Sequence, residues 1–242
     1  MAINGLGNRF KKIHPVKALK VFKFNNISAP MYIHALMNTG INFDHSILIV
    51  PEIHRVKYQE SLENLGQNIN LNLNFYSINY ETAGPLMTLD HVKDFALENF
   101  GSYELLVINC DQILTDSWEK ELSILSKDNC GVIPTLKRTS ARHSYVELER
   151  EGSNNVVRVR EKEVLSPFAT IGLYWFESVA SFFQASDQCI SANDRAPNGE
   201  FYVSHVYNYL AGRVAHIEVE NFYSLGEDYN FESFLDGRCQ ID

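Results

Sequence analysis

Tyr103-Glu104-Leu105-Leu106-Val107-Ile108-Asn109-Cys110-Asp111-Gln112 carries the strongest strand signal in the chain, an apolar run that stops at polar residues including a carboxylate. A continuous rather than alternating run predicts a strand covered on both faces. Outward from it, Ser46-Ile47-Leu48-Ile49-Val50-Pro51 reads as a second buried strand stopped by proline. Leu71 to Ile78 alternates and reads as a more peripheral strand, and Gly131-Val132-Ile133-Pro134 as a short one. Between them, Pro30 to Asn38, His91 to Phe100 and Trp118 to Leu125 have helical spacing. Strands alternating with helices predict an α/β fold, a Rossmann-like, mainly parallel sheet flanked by helices. Ligands of such sheets sit beyond the carboxyl ends of the strands, where Asp111 falls.

From Ser144 the pattern changes. Ser144 to Leu148, a Gly152-Ser153-Asn154-Asn155 turn and Val156 to Arg160 predict a hairpin, with Gly172-Leu173-Tyr174-Trp175-Phe176 as a third strand. This half is expected to form a small antiparallel lid or substrate subdomain on the α/β core.

Near the N-terminus, Gly5-Leu6-Gly7-Asn8-Arg9-Phe10 and Lys17 suggest a phosphate-binding turn. Two glycines let backbone approach a phosphate without a Cβ in the way, and Arg9 and Lys17 supply cations for a polyphosphate. Only Met1-Ala2-Ile3-Asn4 precede Gly5, so the expected first strand is a stub or begins upstream of the recorded start.

The 242 residues, 45% apolar and 21% charged, suit one large soluble domain, or a core plus a small subdomain. A net charge of −9 argues against a nucleic-acid partner, though not against a nucleotide, which needs only a few local cations. Cys110, Cys130, Cys189 and Cys239 lack zinc-ligand spacing, and Cys110 is expected to be a small buried residue. The eight histidines show no metal spacing and read as surface or packing residues. With no secretory segment and no membrane-spanning run, a cytoplasmic protein that does not contact a membrane is expected.

Asp111, at a strand end, suits Mg²⁺, which takes one or two carboxylates plus substrate phosphates; otherwise it is a turn or capping aspartate. Gln112 offers an amide for recognition or is simply solvated. Glu161-Lys162, beside Arg158 and Arg160, puts a lysine in reach of a sugar phosphate, or is a solvated charge run. Gly84-Pro85 reads as a tight loop that either faces a nucleotide or only turns the chain. Asn198-Gly199-Glu200-Phe201-Tyr202 is either a sugar-binding edge or, at Phe201, core.

In this order the segments resemble the sugar nucleotidyltransferases, specifically the bacterial capsule and lipopolysaccharide members similar to glucose-1-phosphate thymidylyltransferases. The resemblance runs through Gly5 to Phe10 with Lys17, Asn109 to Gln112, His143 to Val146, and Val159 to Lys162. It continues through Ser166-Pro167, Ala169 to Tyr174, Asn198 to Val203, and Leu225-Gly226 to Phe234. It implies a GT-A-like nucleotidyltransferase fold with a nucleotide-binding core over residues 1–135 and a sugar-binding, closing part over 136–242. It also implies Mg²⁺-dependent attack of a sugar-1-phosphate on a nucleoside triphosphate, giving a nucleotide-sugar and pyrophosphate for surface polysaccharide.

By position, the resemblance gives catalytic roles to Arg9, Lys17, Asp111 and Lys162, with the metal on Asp111. It puts Gly5, Leu6, Gly7, Asn8, Gly84 and Gln112 around the nucleotide, and Tyr145, Glu161, Gly172, Glu200 and Tyr202 around the sugar. Ala18 replaces the usual proline after the signature lysine. Ser224 stands where many relatives have a second metal carboxylate, with Glu227 and Asp228 as substitutes that would have to reach back. Two other readings compete: a GT-A-type glycosyltransferase, which usually wants Asp-x-Asp where this chain has Asp111-Gln112-Ile113, and a degenerate nucleotide- or sugar-binding protein without turnover. A homo-oligomer is left open, as are the base and the sugar.

Overall fold

A computed structural model describes residues 17–52, 55, 73–226 and 228–237. The chain divides into two compact units of interleaved sequence: Met1–Glu81, Ile108–Ser117 and Asn221–Asp242 make one, Thr82–Val107 and Trp118–Glu220 the other.

In the first unit, β1 (Val21–Phe24) and β2 (Ile27–Pro30) form an antiparallel hairpin. Its turn residues Asn25 and Asn26 both have left-handed backbone, φ 49° and 65°. Primed two-residue turns need that conformation, and asparagine tolerates it. The chain runs directly into α1 (Met31–Met37), close to the expected helix. β3 (Ser46–Pro51) and β4 (Leu73–Ile78) pair in parallel from Ser46↔Leu73 to Pro51↔Ile78. β6 (Gln112–Leu114) pairs antiparallel with β13 (Phe222–Ser224), and α6 (Asp228–Leu235) follows. Phe22, Met31, Ile113, Leu225 and Phe231 form a buried cluster that draws the hairpin, α1, β6 and α6 together. The Phe22 and Phe231 rings meet edge to face at 5.2 Å.

The second unit is built on a seven-stranded sheet. Its strands are β5 (Leu105–Ile108), β7 (Gly131–Lys137), β8 (Ser144–Leu148), β9 (Asn155–Glu161), β10 (Phe168–Thr170), β11 (Leu173–Phe176) and β12 (Val214–Glu218), in the spatial order β10-β8-β9-β12-β7-β11-β5. The expected hairpin is present as β8–β9. Helices α2 (Pro85–Asp90), α3 (Lys93–Phe100), α4 (Glu119–Leu125) and α5 (Val179–Ser191) and a 3₁₀ helix over Val203–Tyr209 complete the unit. Ser178 caps α5 by accepting the Ser181 N–H at 3.0 Å. Against the sheet, the Phe176 ring stacks on Tyr207 at 4.6 Å and meets Phe182 at 4.8 Å.

The mixed α/β class is as expected, but the mainly parallel sheet needs correction. β3–β4 and β7–β12 are parallel. β8–β9, β9–β12, β7–β10, β7–β11 and β8–β10 all run antiparallel. A strand's apolar pattern records how it is covered, whereas its direction depends on a neighbour remote in sequence. Two smaller differences follow. Gly84-Pro85 is not a free loop: Gly84 caps α2 and Pro85 opens it, where proline's missing N–H costs nothing. Cys110 is half-buried, while Cys130 and Cys189 are buried. Among the described residues no helix is long and apolar enough to cross a membrane.

Candidate functional site

Lys162 directly follows β9 and has left-handed backbone, φ 60°, one of four described non-glycine residues with positive φ. That conformation costs a lysine roughly 1–2 kcal/mol, so the surroundings must impose it. Its N–H donates to the His143 carbonyl at 2.8 Å, just beyond the last β8–β9 pair, Ser144↔Glu161. Its ammonium donates to the Tyr202 hydroxyl at 3.0 Å and lies 5.1 Å from that ring's centroid. Tyr202 Oη donates to Glu200 Oε2 at 2.7 Å and accepts from Asn198 Nδ2 at 3.1 Å. One proton given and two received fill the phenol's capacity. Burial, with the Glu200 bond next, raises the Tyr202 pKa and keeps the hydroxyl protonated.

The preceding residue is not part of a solvated charge run. Glu161 is 6% exposed, and the Ser144 hydroxyl, 2.9 Å from Ser204 Oγ, donates to its carboxylate. Burial raises the Glu161 pKa, a shift the Ser144 bond and the Lys162 charge oppose. Gly172 (φ 77°) bends the chain between β10 and β11, and the Thr170 and Tyr174 hydroxyls meet across the bend at 3.1 Å. The Tyr145 hydroxyl is used within the chain, donating to the Ser140 carbonyl at 2.7 Å.

Phe201 is core, with its ring under the Arg195 guanidinium. Its backbone crosses the start of α2: the Phe201 N–H donates to Ala83 O at 2.8 Å and its carbonyl accepts from Leu86 N at 3.1 Å. Gly84 (φ 116°) lies beneath, and a Cβ there would stand 2.4 Å from the Phe201 carbonyl oxygen. That crossing alone accounts for glycine at this position. Lys162, Glu200 and Tyr202 are thus gathered on one hydrogen-bonded network, with Glu161 next to it in sequence, all in one unit.

Asp111 and Gln112 belong to the other unit. Gln112 is 3% exposed, so its amide is not solvated. Ser224 is its cross-strand partner, and the Leu225 N–H donates to the Asp111 carbonyl at 2.7 Å. Ser224 thus lies in the ladder opposite the residue after Asp111, and it carries an exposed hydroxyl. Among the described residues no three histidines, cysteines or acids gather as a metal site. A single carboxylate, that of Asp111, still fits Mg²⁺, which completes its octahedron with water and phosphate. Gly5, Leu6, Gly7, Asn8, Arg9 and Glu227 lie outside the described residues, as do the side chains of Lys17 and Asp228.

Sequence reasoning missed His205 and Asp194. His205 Nε2 accepts the Glu161 N–H at 2.9 Å, and Asp194 Oδ1 accepts from Arg160 Nη1 at 2.6 Å. Neither residue sits at a spacing that advertises chemistry; the only local signal is Asn193, whose left-handed backbone (φ 52°) ends α5 and delivers Asp194.

No protein-family model matches the chain, and no curated protein matches it by sequence. Solved structures do match it along its length. A nucleoside-diphosphate-sugar pyrophosphorylase from Vibrio cholerae RC9 is 17% identical with a TM-score of 0.80, over 98% of this chain and 100% of that one. A Bacillus anthracis protein described as a glucose-1-phosphate thymidylyltransferase, in complex with a sucrose, is also 17% identical, with a TM-score of 0.74 over 100% and 94%. The inositol-1-phosphate CTP transferase of T. maritima is 13% identical, with a TM-score of 0.68 over 99% and 94%. The fold of this chain is that of the sugar nucleotidyltransferases and the cytidylyltransferases related to them in structure.

Proposed function

We propose that this protein is a nucleotidyltransferase that joins a nucleoside triphosphate to a sugar-1-phosphate for surface polysaccharide synthesis. A phosphate oxygen of the sugar-1-phosphate attacks the α-phosphorus. The new P–O bond forms as the bond to the bridging oxygen breaks, and pyrophosphate leaves with the electron pair. No protein nucleophile is required, because positioning and charge neutralisation suffice for such a transfer. The observation that carries the reading is the setting of Lys162. A strained backbone and a saturated phenol hold its ammonium at the end of β9, on a fold that nucleotidyltransferases share. Lys162 would bind the sugar phosphate, bordered by Glu161, Gly172, Glu200 and Tyr202. Arg9, Lys17 and the Gly5 to Asn8 turn would hold the triphosphate.

Asp111 would hold Mg²⁺, which when bound neutralises phosphate charge. Ser224 favours a second reading, a nucleotide- or sugar-binding protein without turnover. The experiment that separates the two is a pyrophosphate-release screen of the common ribonucleoside triphosphates and dTTP against a panel of sugar-1-phosphates. Release with one pair is expected. Saturable binding of nucleotide or sugar phosphate without release supports the second reading, and neither binding nor release overturns both.

A further inference from the structure

We propose that His205, anchored by Asp194, is a positioning residue that clamps the backbone at Glu161 and so aims the Lys162 ammonium. The Glu161 amide can only donate, so the Nε2 that faces it at 2.9 Å is an acceptor and carries no hydrogen. The ring is therefore neutral with its proton on Nδ1, which faces Asp194 Oδ1 at 3.2 Å and Asp194 O at 3.3 Å. Asp194 also receives Arg160 Nη1 at 2.6 Å, and its Oδ2 receives the Tyr209 hydroxyl at 3.1 Å.

Three successive residues are thus fixed by different atoms: Arg160 by its side chain on Asp194, Glu161 by its amide on His205, and Lys162 by its amide on His143 O. The clamp sits one peptide before the left-handed residue, where a loosened strand end would let φ relax and the ammonium leave Tyr202. A ring 1% exposed, with both nitrogens committed, has no other evident task.

The clamp is acid-sensitive by construction. A proton on Nε2 turns the acceptor into a donor pointing at an N–H. Asp194 and Arg160 are the charged groups around the ring. The Glu161 amide from β9 faces Nε2, while the Tyr209 hydroxyl from the 3₁₀ helix and the Cys189 thiol of α5 face Asp194. Burial is the largest influence on the ring and lowers its pKa, which supports the neutral form.

The inference rests on Lys162 as the sugar-phosphate cation, so the test has one readout without substrate and one with it. In amide hydrogen exchange, His205→Leu should speed exchange at Glu161 and Lys162 about tenfold. His205→Gln, whose amide oxygen can accept near the place of Nε2, should stay within about threefold of the parent. In pyrophosphate release with the active pair found by the screen, His205→Leu should raise KM for the sugar phosphate about tenfold and leave KM for the triphosphate within about twofold. Glutamine should restore most of the loss and abolish the rise in sugar-phosphate KM that the parent shows on acidification. If His205→Leu does not fold, Asp194→Asn, which keeps an oxygen for Arg160 but weakens the anchor of Nδ1, should show the same pattern at smaller size. Unchanged exchange in a folded His205→Leu or Asp194→Asn overturns the clamp, as do equal losses in the leucine and glutamine variants. A parent that releases no pyrophosphate with any pair overturns the nucleotidyltransferase reading instead, and the exchange data still decide the clamp.

Discussion

The Lys162 region and the Asp111 region place their functional groups by different means. Around Lys162, side chains do the placing: His205 on the Glu161 amide, Tyr202 on the ammonium, and Asp194 on Arg160 and His205. Around Asp111, a ladder does it, with Ser224 opposite Gln112 and the Leu225 N–H on the Asp111 carbonyl. A ladder made of backbone bonds tolerates side-chain replacement, because every residue but proline brings the same N–H and C=O. A side-chain network fails atom by atom. The contrast predicts that backbone bonds keep the shape of the Asp111 region when a side chain is replaced, and that the Lys162 region, which adds a side-chain network to its ladder, is the more sensitive of the two.

The sharpest way to break that contrast is Asp111→Ala. We expect pyrophosphate release to fall about a hundredfold or more, by the loss of a transition-state charge stabiliser. If backbone bonds alone build the region, the melting temperature should hold within about 2 °C. A large loss of stability would show that the Asp111 side chain, and not the ladder, builds the region.

Next in size is Lys162. Lys162→Ala should raise the sugar-phosphate KM roughly ten- to a hundredfold, the size of a charge-assisted bond of ~1.5–3 kcal/mol. Lys162→Gly should lose the same activity yet be the more stable of the two variants by about 1 kcal/mol, because glycine takes φ 60° without strain. Equal denaturant midpoints for the two would remove strain from the description of the site.

Stability against pH comes third. His34, His143, His205 and His216 all have pKa values lowered by burial. Groups whose folded value lies below the unfolded ~6.5 leave stability intact above that pH and remove it as pH falls through the window beneath, since the unfolded chain binds the extra protons. Glu161, raised by burial, works the other way: its contribution is lost as pH rises from the ordinary carboxylate range through its folded value. Four groups outweigh one, so urea midpoints should fall on acidification below ~6.5, by at most ~1.4 kcal/mol per pH unit for each proton bound. A flat profile would mean that these rings are less enclosed than the fold implies.

The smallest expected effect is at Ser224→Asp. A carboxylate at 224, where the resemblance puts a second metal ligand, should lower the Mg²⁺ concentration for half-maximal rate about threefold. No change would show that position 224 does not face the metal.

How much of this was legible depends on how local each signal is. The β8–β9 hairpin and α1 were readable because their turn residues and spacing lie within one short window. Lys162 was readable as a cation at a strand end, but Glu161 beside it gave no sign of burial, because its partners Ser144 and Ser204 come from remote segments. Strand direction was illegible for the same reason, since β7 pairs with β10, β11 and β12, all far downstream. The β1–β2 hairpin had a signal in Asn25-Asn26 and α5 had one in Ser178, and both were cues of ordinary kind. His205 had none. Its role exists only through a backbone amide that any residue at 161 but proline would supply.

The left-handed backbone at Lys162 also bears on how this chain can change over generations. Asparagine and glycine sit more easily at φ 60°, and lysine reaches asparagine by a single third-base change in its codon. Selection for stability alone would therefore draw position 162 away from lysine by a short and downhill route. A lineage that no longer used the ammonium would relax there early, and a lineage that holds lysine against that drift is held by its use.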